Sequence, residues 1–128
     1  MRTLSVLSLV AVLLGSGCAI DRYSGNASYL HGDRYHPAKF TFPTRITAVD
    51  GRSTLSRQNP VPVEPGKHLI TLVTTPVAGF GVPVYRDLEL EVEPCKRYYI
   101  VAERDNRLLQ DWRPLIDNVS PLGGVKCH

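Results

Sequence analysis

The side chains with the most chemical potential are three cysteines, four histidines and one run of carboxylates. The cysteines stand at Cys18, Cys95 and Cys127. None belongs to a C-x-x-C motif, which argues against a redox dithiol or a zinc ribbon. His31 and His36 have four residues between them, Asp33 among these. Such a pair holds a metal when a helix and a third ligand fix it, and this polar stretch predicts neither. His68 follows a Pro-Gly turn, and His128 ends the sequence. Asp87, Glu89, Glu91 and Glu93 alternate along one segment, so they share one face of a strand. That spacing predicts a solvated acidic face, with pairing to a basic partner as the functional alternative. No G-x-S-x-G, H-E-x-x-H or phosphate-loop motif occurs. No catalytic residue, metal site or cofactor site is therefore expected, and the sequence is read as a non-enzyme.

The elements that carry these residues begin with an export signal. Met1-Arg2-Thr3 is followed by an apolar run from Leu4 to Leu14 and then Gly15-Ser16-Gly17-Cys18. A basic start, a short apolar core and small residues at the cut describe a secretory signal peptide. The run is about half of the roughly 20 residues needed to span a bilayer as a helix. Ser16-Gly17-Cys18 resembles the end of a bacterial lipobox, although Gly15 stands where lipoboxes usually carry leucine. The resemblance implies removal of residues 1–17, acylation of Cys18 and a lipid bilayer as the first partner. Ala19 rather than aspartate follows the cysteine, which implies the outer membrane. The alternative is cleavage by the ordinary signal peptidase after Ala19.

Removing residues 1–17 takes only Arg2 from the charge balance, so the formal +3 falls by one. No Lys/Arg cluster denser than a pair occurs, and nucleic acid is not expected as a partner. Lipidation or cleavage consumes Cys18 and leaves Cys95 and Cys127. In an oxidising envelope they are expected to form one disulfide. It would close a loop of about 32 residues, worth roughly 3–4 kcal/mol in the chain-entropy account.

Residues 18–39 read as a polar tether, with Tyr23, Tyr29 and Tyr35 recurring every six residues. Residues 40–128 read as one all-β domain, a small antiparallel β-sandwich. Strands are predicted at Phe40–Phe42, Arg45–Val49, His68–Thr75, Arg86–Glu93, Arg97–Glu103 and Trp112–Asp117, with Val61–Val63 as an edge segment. Asp50-Gly51 and Pro65-Gly66 supply turns. Leu69, Leu72, Leu88, Leu90, Val92, Ile100 and Trp112 are the expected core. The link between two of these strands, Pro76-Val77-Ala78-Gly79-Phe80-Gly81-Val82-Pro83, is almost wholly apolar. Such a loop either folds back on the body or meets a partner. Val77, Phe80 and Val82 are its candidate contact residues, and folding back is the favoured outcome.

Val49-Asp50-Gly51, followed by Val63-Glu64-Pro65-Gly66-Lys67-His68-Leu69-Ile70-Thr71-Leu72, resembles the PEGA-like modules of bacterial surface proteins. Arg97–Ala102 and Trp112–Ile116 look like the carboxyl half of small bacterial lipoproteins. The resemblance spans about residues 45–117 and rests on turn residues. It implies a small β-sandwich with no catalytic set. The longer loop at residues 75–83 and the cysteine pair depart from it. Two functions follow as expectations. One is a membrane-anchored structural or adaptor module that binds an envelope protein. The other is a periplasmic inhibitor of a cell-wall hydrolase of the lysozyme type.

Overall fold

A computed structural model describes residues 25–34, 40–54, 59–77, 81–123 and 127. Eight strands make up its regular structure, and the described residues contain no α-helix. In chain order they are β1 (Ser28–His31), β2 (Thr41–Val49), β3 (Arg52–Ser53), β4 (Val61–Val63), β5 (Gly66–Thr74), β6 (Tyr85–Val92), β7 (Lys96–Glu103) and β8 (Arg113–Pro121). They form one sheet in the order β4-β1-β7-β2-β5-β6, with β3 paired to β2 and β8 to β7.

The corner of the fold is β2. Its first residues, Thr41–Pro43, pair with β7, while Thr44–Val49 pair with β5. The sheet thereby folds into two layers that share one core. Pro43 stands at the changeover, where a missing N–H costs no ladder bond. Threonines satisfy the backbone there. Thr44 donates its N–H to Gly32 O (2.6 Å) and its hydroxyl to Ile100 O (3.0 Å), and the Thr74 hydroxyl donates to Pro43 O (2.7 Å). Gly32 must be glycine because a Cβ would collide with Thr44 O.

Alternation decides what each strand buries. Ile70 and Leu72 of β5 and Tyr98, Ile100 and Ala102 of β7 meet Leu30, Ile46, Val61, Val63, Val92 and Trp112 in a single core. The Trp112 indole N–H donates to Val84 O (3.0 Å), and the Tyr98 hydroxyl accepts from Glu93 N (2.8 Å). Both aromatic polar ends are thus satisfied.

The all-β class stands, with four differences in detail. The sheet is mixed rather than purely antiparallel, because β1 runs parallel to β7. The domain starts before residue 40: Ser28–His31, expected within the tether, is an interior strand between β4 and β7. Leu30 is fully buried there. Its apolar signal is one leucine in a polar stretch, too short to show a period. The two segments expected around residues 40–49 are one bent strand, with Pro43 inside it rather than between strands. Leu69 is not core: it is 40% exposed, on the outward row of β5 opposite Glu89. Leu72, Val92, Ile100 and Trp112 are buried as expected, while Leu88 and Leu90 pack half-buried against the same core.

Candidate partner-binding end of the sandwich

Strand direction brings two loops together. β5 ends and β6 begins at the same end of the sandwich where β7 ends and β8 begins. Residues 75–77 and 81–84 therefore lie beside residues 104–112, and side chains tie them. Gln110 Oε1 accepts from Val77 N (2.9 Å), while Gln110 Nε2 donates to Val77 O (3.4 Å). Arg86 donates to Asp111 Oδ1 (2.8 Å) and to Trp112 O (3.2 Å). Hydrogen bonding to Arg86 holds the Asp111 carboxyl below its ordinary range. Arg113 pairs with Asp105 (3.1 Å) and Glu103 (2.5 Å) at the same end, and those bonds raise its already high pKa.

Arg104 joins the two loops from inside. It is 3% exposed, lies 4.5 Å over the Phe42 ring and donates from Nη2 to Thr75 O (2.8 Å). Its Nε has no partner. Burial pulls its pKa down from the ordinary arginine value, as expected for a desolvated cation.

Among these charged groups, this end also presents large apolar side chains to solvent. Asn106 Oδ1 accepts from Leu108 N (2.8 Å) and Leu109 N (3.1 Å), a local turn of the kind short polar side chains form. Leu108 on that turn is 84% exposed, and Val82 on the neighbouring loop is 85% exposed. Leu109, Tyr85 and Phe40 are also exposed at this end. Phe40 adopts φ 54, an uncommon conformation for a bulky residue, and Arg107 stands 5.9 Å over its ring. Isolated exposed leucines need no explanation; several on adjoining tips do.

The three loop residues singled out from sequence are thus separated. Val77 is half-buried and tied to Gln110, so the first part of the loop folds back. Val82 points into solvent, so the second part does not. Phe80 lies outside the described residues. No apolar period in residues 104–111 singles out Leu108 and Leu109. Their one available signal was adjacent leucines in an otherwise polar loop.

The opposite end receives the amino-terminal chain. Asn26 O accepts from Cys95 N (3.1 Å), and Ser28 Oγ accepts from Lys96 N (2.9 Å). Cys95 and Cys127 lie at disulfide distance, with Cα atoms 5.8 Å apart, and Leu122 N donates to Cys95 O (2.9 Å). The expected pairing of Cys95 with Cys127 therefore fits the fold. Cys18 and the signal segment lie outside the described residues.

His31 and His68 make contacts within the fold. His31 stacks on Tyr99 at 4.8 Å between ring centroids, with Arg34 3.8 Å over that ring. Burial lowers the His31 pKa. His36, Tyr23, Tyr35 and His128 lie outside the described residues. No group of three metal-ligating side chains occurs among the described residues. His68 bridges two turns: Nδ1 meets Asp50 Oδ2 (2.5 Å) and Nε2 meets Glu64 O (2.7 Å). Asp87, Glu89 and Glu91 are exposed along β6 and Glu93 follows them, so the acidic row is a solvated edge. Comparison with known proteins found no matching family model, no matching curated protein and no matching solved structure.

Proposed function

We propose that this chain is a membrane-anchored envelope lipoprotein whose β-sandwich serves as a structural or adaptor module, binding another envelope protein. One observation carries the proposal: the apolar tips at Val82 and Leu108 lie at the end of the sandwich remote from where the chain enters at Asn26. The tips are thus presented at the end of the sandwich opposite the point where a tether from Cys18 would join it. A protein surface is the partner that such tips suit. The lipobox-like residues at 16–18 support the anchor, Ala19 supports the outer membrane, and the Asp50-Gly51 and Pro65-Gly66 turns support the PEGA-like description.

The test has two arms in the native host. Cys18→Ser is expected to leave uncleaved precursor and to abolish incorporation of a palmitate analogue. Persistent labelling would remove the anchor. Val82→Glu with Leu108→Glu is expected to leave anchoring intact and to lower recovery of a crosslinked envelope protein at least tenfold. Unchanged recovery would remove the tips from the interface.

A further inference from the structure

Beside the apolar tips, on the outer surface of the β2–β5 layer, lies a cleft of about 320 Å³. That is the small end of the range for ligand sites. Its floor is Val73, which is 5% exposed although it lies on the outward row of β5. Its walls include Pro43, Pro76 and Pro83, and Arg45 and Thr75 stand at its margin.

Charge is one-sided here. The Arg45 side chain is exposed and has no hydrogen bond or ion pair among the described residues. No carboxylate lines the cleft among the described residues. Arg104, buried and without a carboxylate partner among the described residues, stands behind the Thr75 carbonyl that it holds at 2.8 Å. One cation lining the cleft, Arg45, with no carboxylate among the described lining residues, favours an anionic occupant, and a guanidinium suits a carboxylate through two parallel N–H bonds.

The walls narrow the choice further. Proline has no N–H, so three prolines offer apolar rings and carbonyls only. The Pro43 carbonyl already accepts from Thr74. An aspartate or glutamate within a chain would carry flanking amides into this cleft, where few partners await them. A terminal residue carries its carboxylate and an apolar side chain together, with its upstream chain leaving through the open side past exposed Tyr85. We propose that this cleft binds the carboxyl-terminal residue of a polypeptide, with its carboxylate on Arg45 and an apolar side chain over Val73 and the prolines. This site goes beyond the adaptor proposal and does not depend on the lipid anchor.

The test uses the full chain in detergent, isotope-labelled for amide NMR, with N-acetyl-Ala-Leu as the free acid and as its carboxamide. The acid is expected to shift the amides of Val73 and Thr75, and the carboxamide to bind at least tenfold more weakly, the usual worth of one charge-assisted pair. Arg45→Gln should lose the acid by at least tenfold, and Arg45→Lys should keep more than Arg45→Gln. Equal binding of acid and carboxamide, shifts confined to other parts of the fold, or no binding at millimolar peptide would each overturn the site. The acid-against-carboxamide comparison decides the matter on the unaltered chain should a variant misfold. Failure here leaves the tip variants' crosslinking result untouched, so the two proposals fail separately.

Discussion

Removing the Asp50 side chain is expected to weaken the domain well beyond what a half-exposed turn residue usually contributes. Asp50 holds φ 52 and Gly51 φ 78, between the paired residues Val49 and Arg52. Two successive positive φ values make the tight turn that matches strand twist. The carboxylate also leaves its own hairpin: it accepts from Leu69 N (2.8 Å) and meets His68 Nδ1 (2.5 Å). With the Asp50 side chain 47% exposed, each lost bond is taken at about 1 kcal/mol, below the range for bonds to buried charged groups. Alanine at positive φ adds roughly 1 kcal/mol. Asp50→Ala should thus cost about 3 kcal/mol, a fall in Tm of roughly 12 °C for a domain near 100 residues. Asparagine tolerates this φ and still accepts from Leu69, so Asp50→Asn should cost about 1 kcal/mol or roughly 4 °C.

The acid dependence has a definite sign. The bond from the Leu69 amide, then that from His68, hold the Asp50 carboxyl below its ordinary value. A carboxyl depressed on folding contributes stability that is full above its unfolded value near 3.9 and is lost as pH falls through the folded value. The advantage of the native chain over Asp50→Asn should therefore be complete near neutrality and shrink below about pH 4. Thermal melts by circular dichroism across that range measure both effects. An Asp50→Ala variant melting within about 2 °C of the native chain, under a scale of roughly 4 °C per kcal/mol, would refute the reasoning. So would an advantage over Asp50→Asn that survives intact at the acid end.

Two further outcomes follow from the core and the far end. Leu30→Ala removes a fully buried side chain from the interior strand and should cost about 2–5 kcal/mol, read by urea denaturation; a change below about 1 kcal/mol would return residues 28–31 to the tether. Cys127→Ser should free the tail from Cys95 and lower stability by roughly 3 kcal/mol while membrane anchoring persists, and two alkylatable thiols in the native protein would show that the bridge does not form.

Much of the fold was legible because it is written in local chemistry. Asp50-Gly51 and Pro65-Gly66 mark turns through the φ values they permit, and Leu88, Leu90 and Val92 mark a half-buried strand through alternation. The opposition of Cys95 and Cys127 followed from counting two cysteines outside the signal region. Pairing partners were not legible. Nothing local distinguishes Leu30 from a tether leucine: its burial depends on β7 and β4, which lie more than thirty residues away in sequence. The parallel β1–β7 pair and the bend of β2 at Pro43 likewise depend on distant partner strands, and Leu69 faces outward because alternation turns Ile70 and Leu72 to the core. The candidate partner-binding end shows the same division. The sequence marked residues 76–83 as oddly apolar, but only tertiary structure could bring the loop that carries Leu108 against the loop that carries Val82, and Arg45 beside three prolines. Those residues come from different loops and strands, and their proximity depends on long-range pairing and packing that local pattern does not encode.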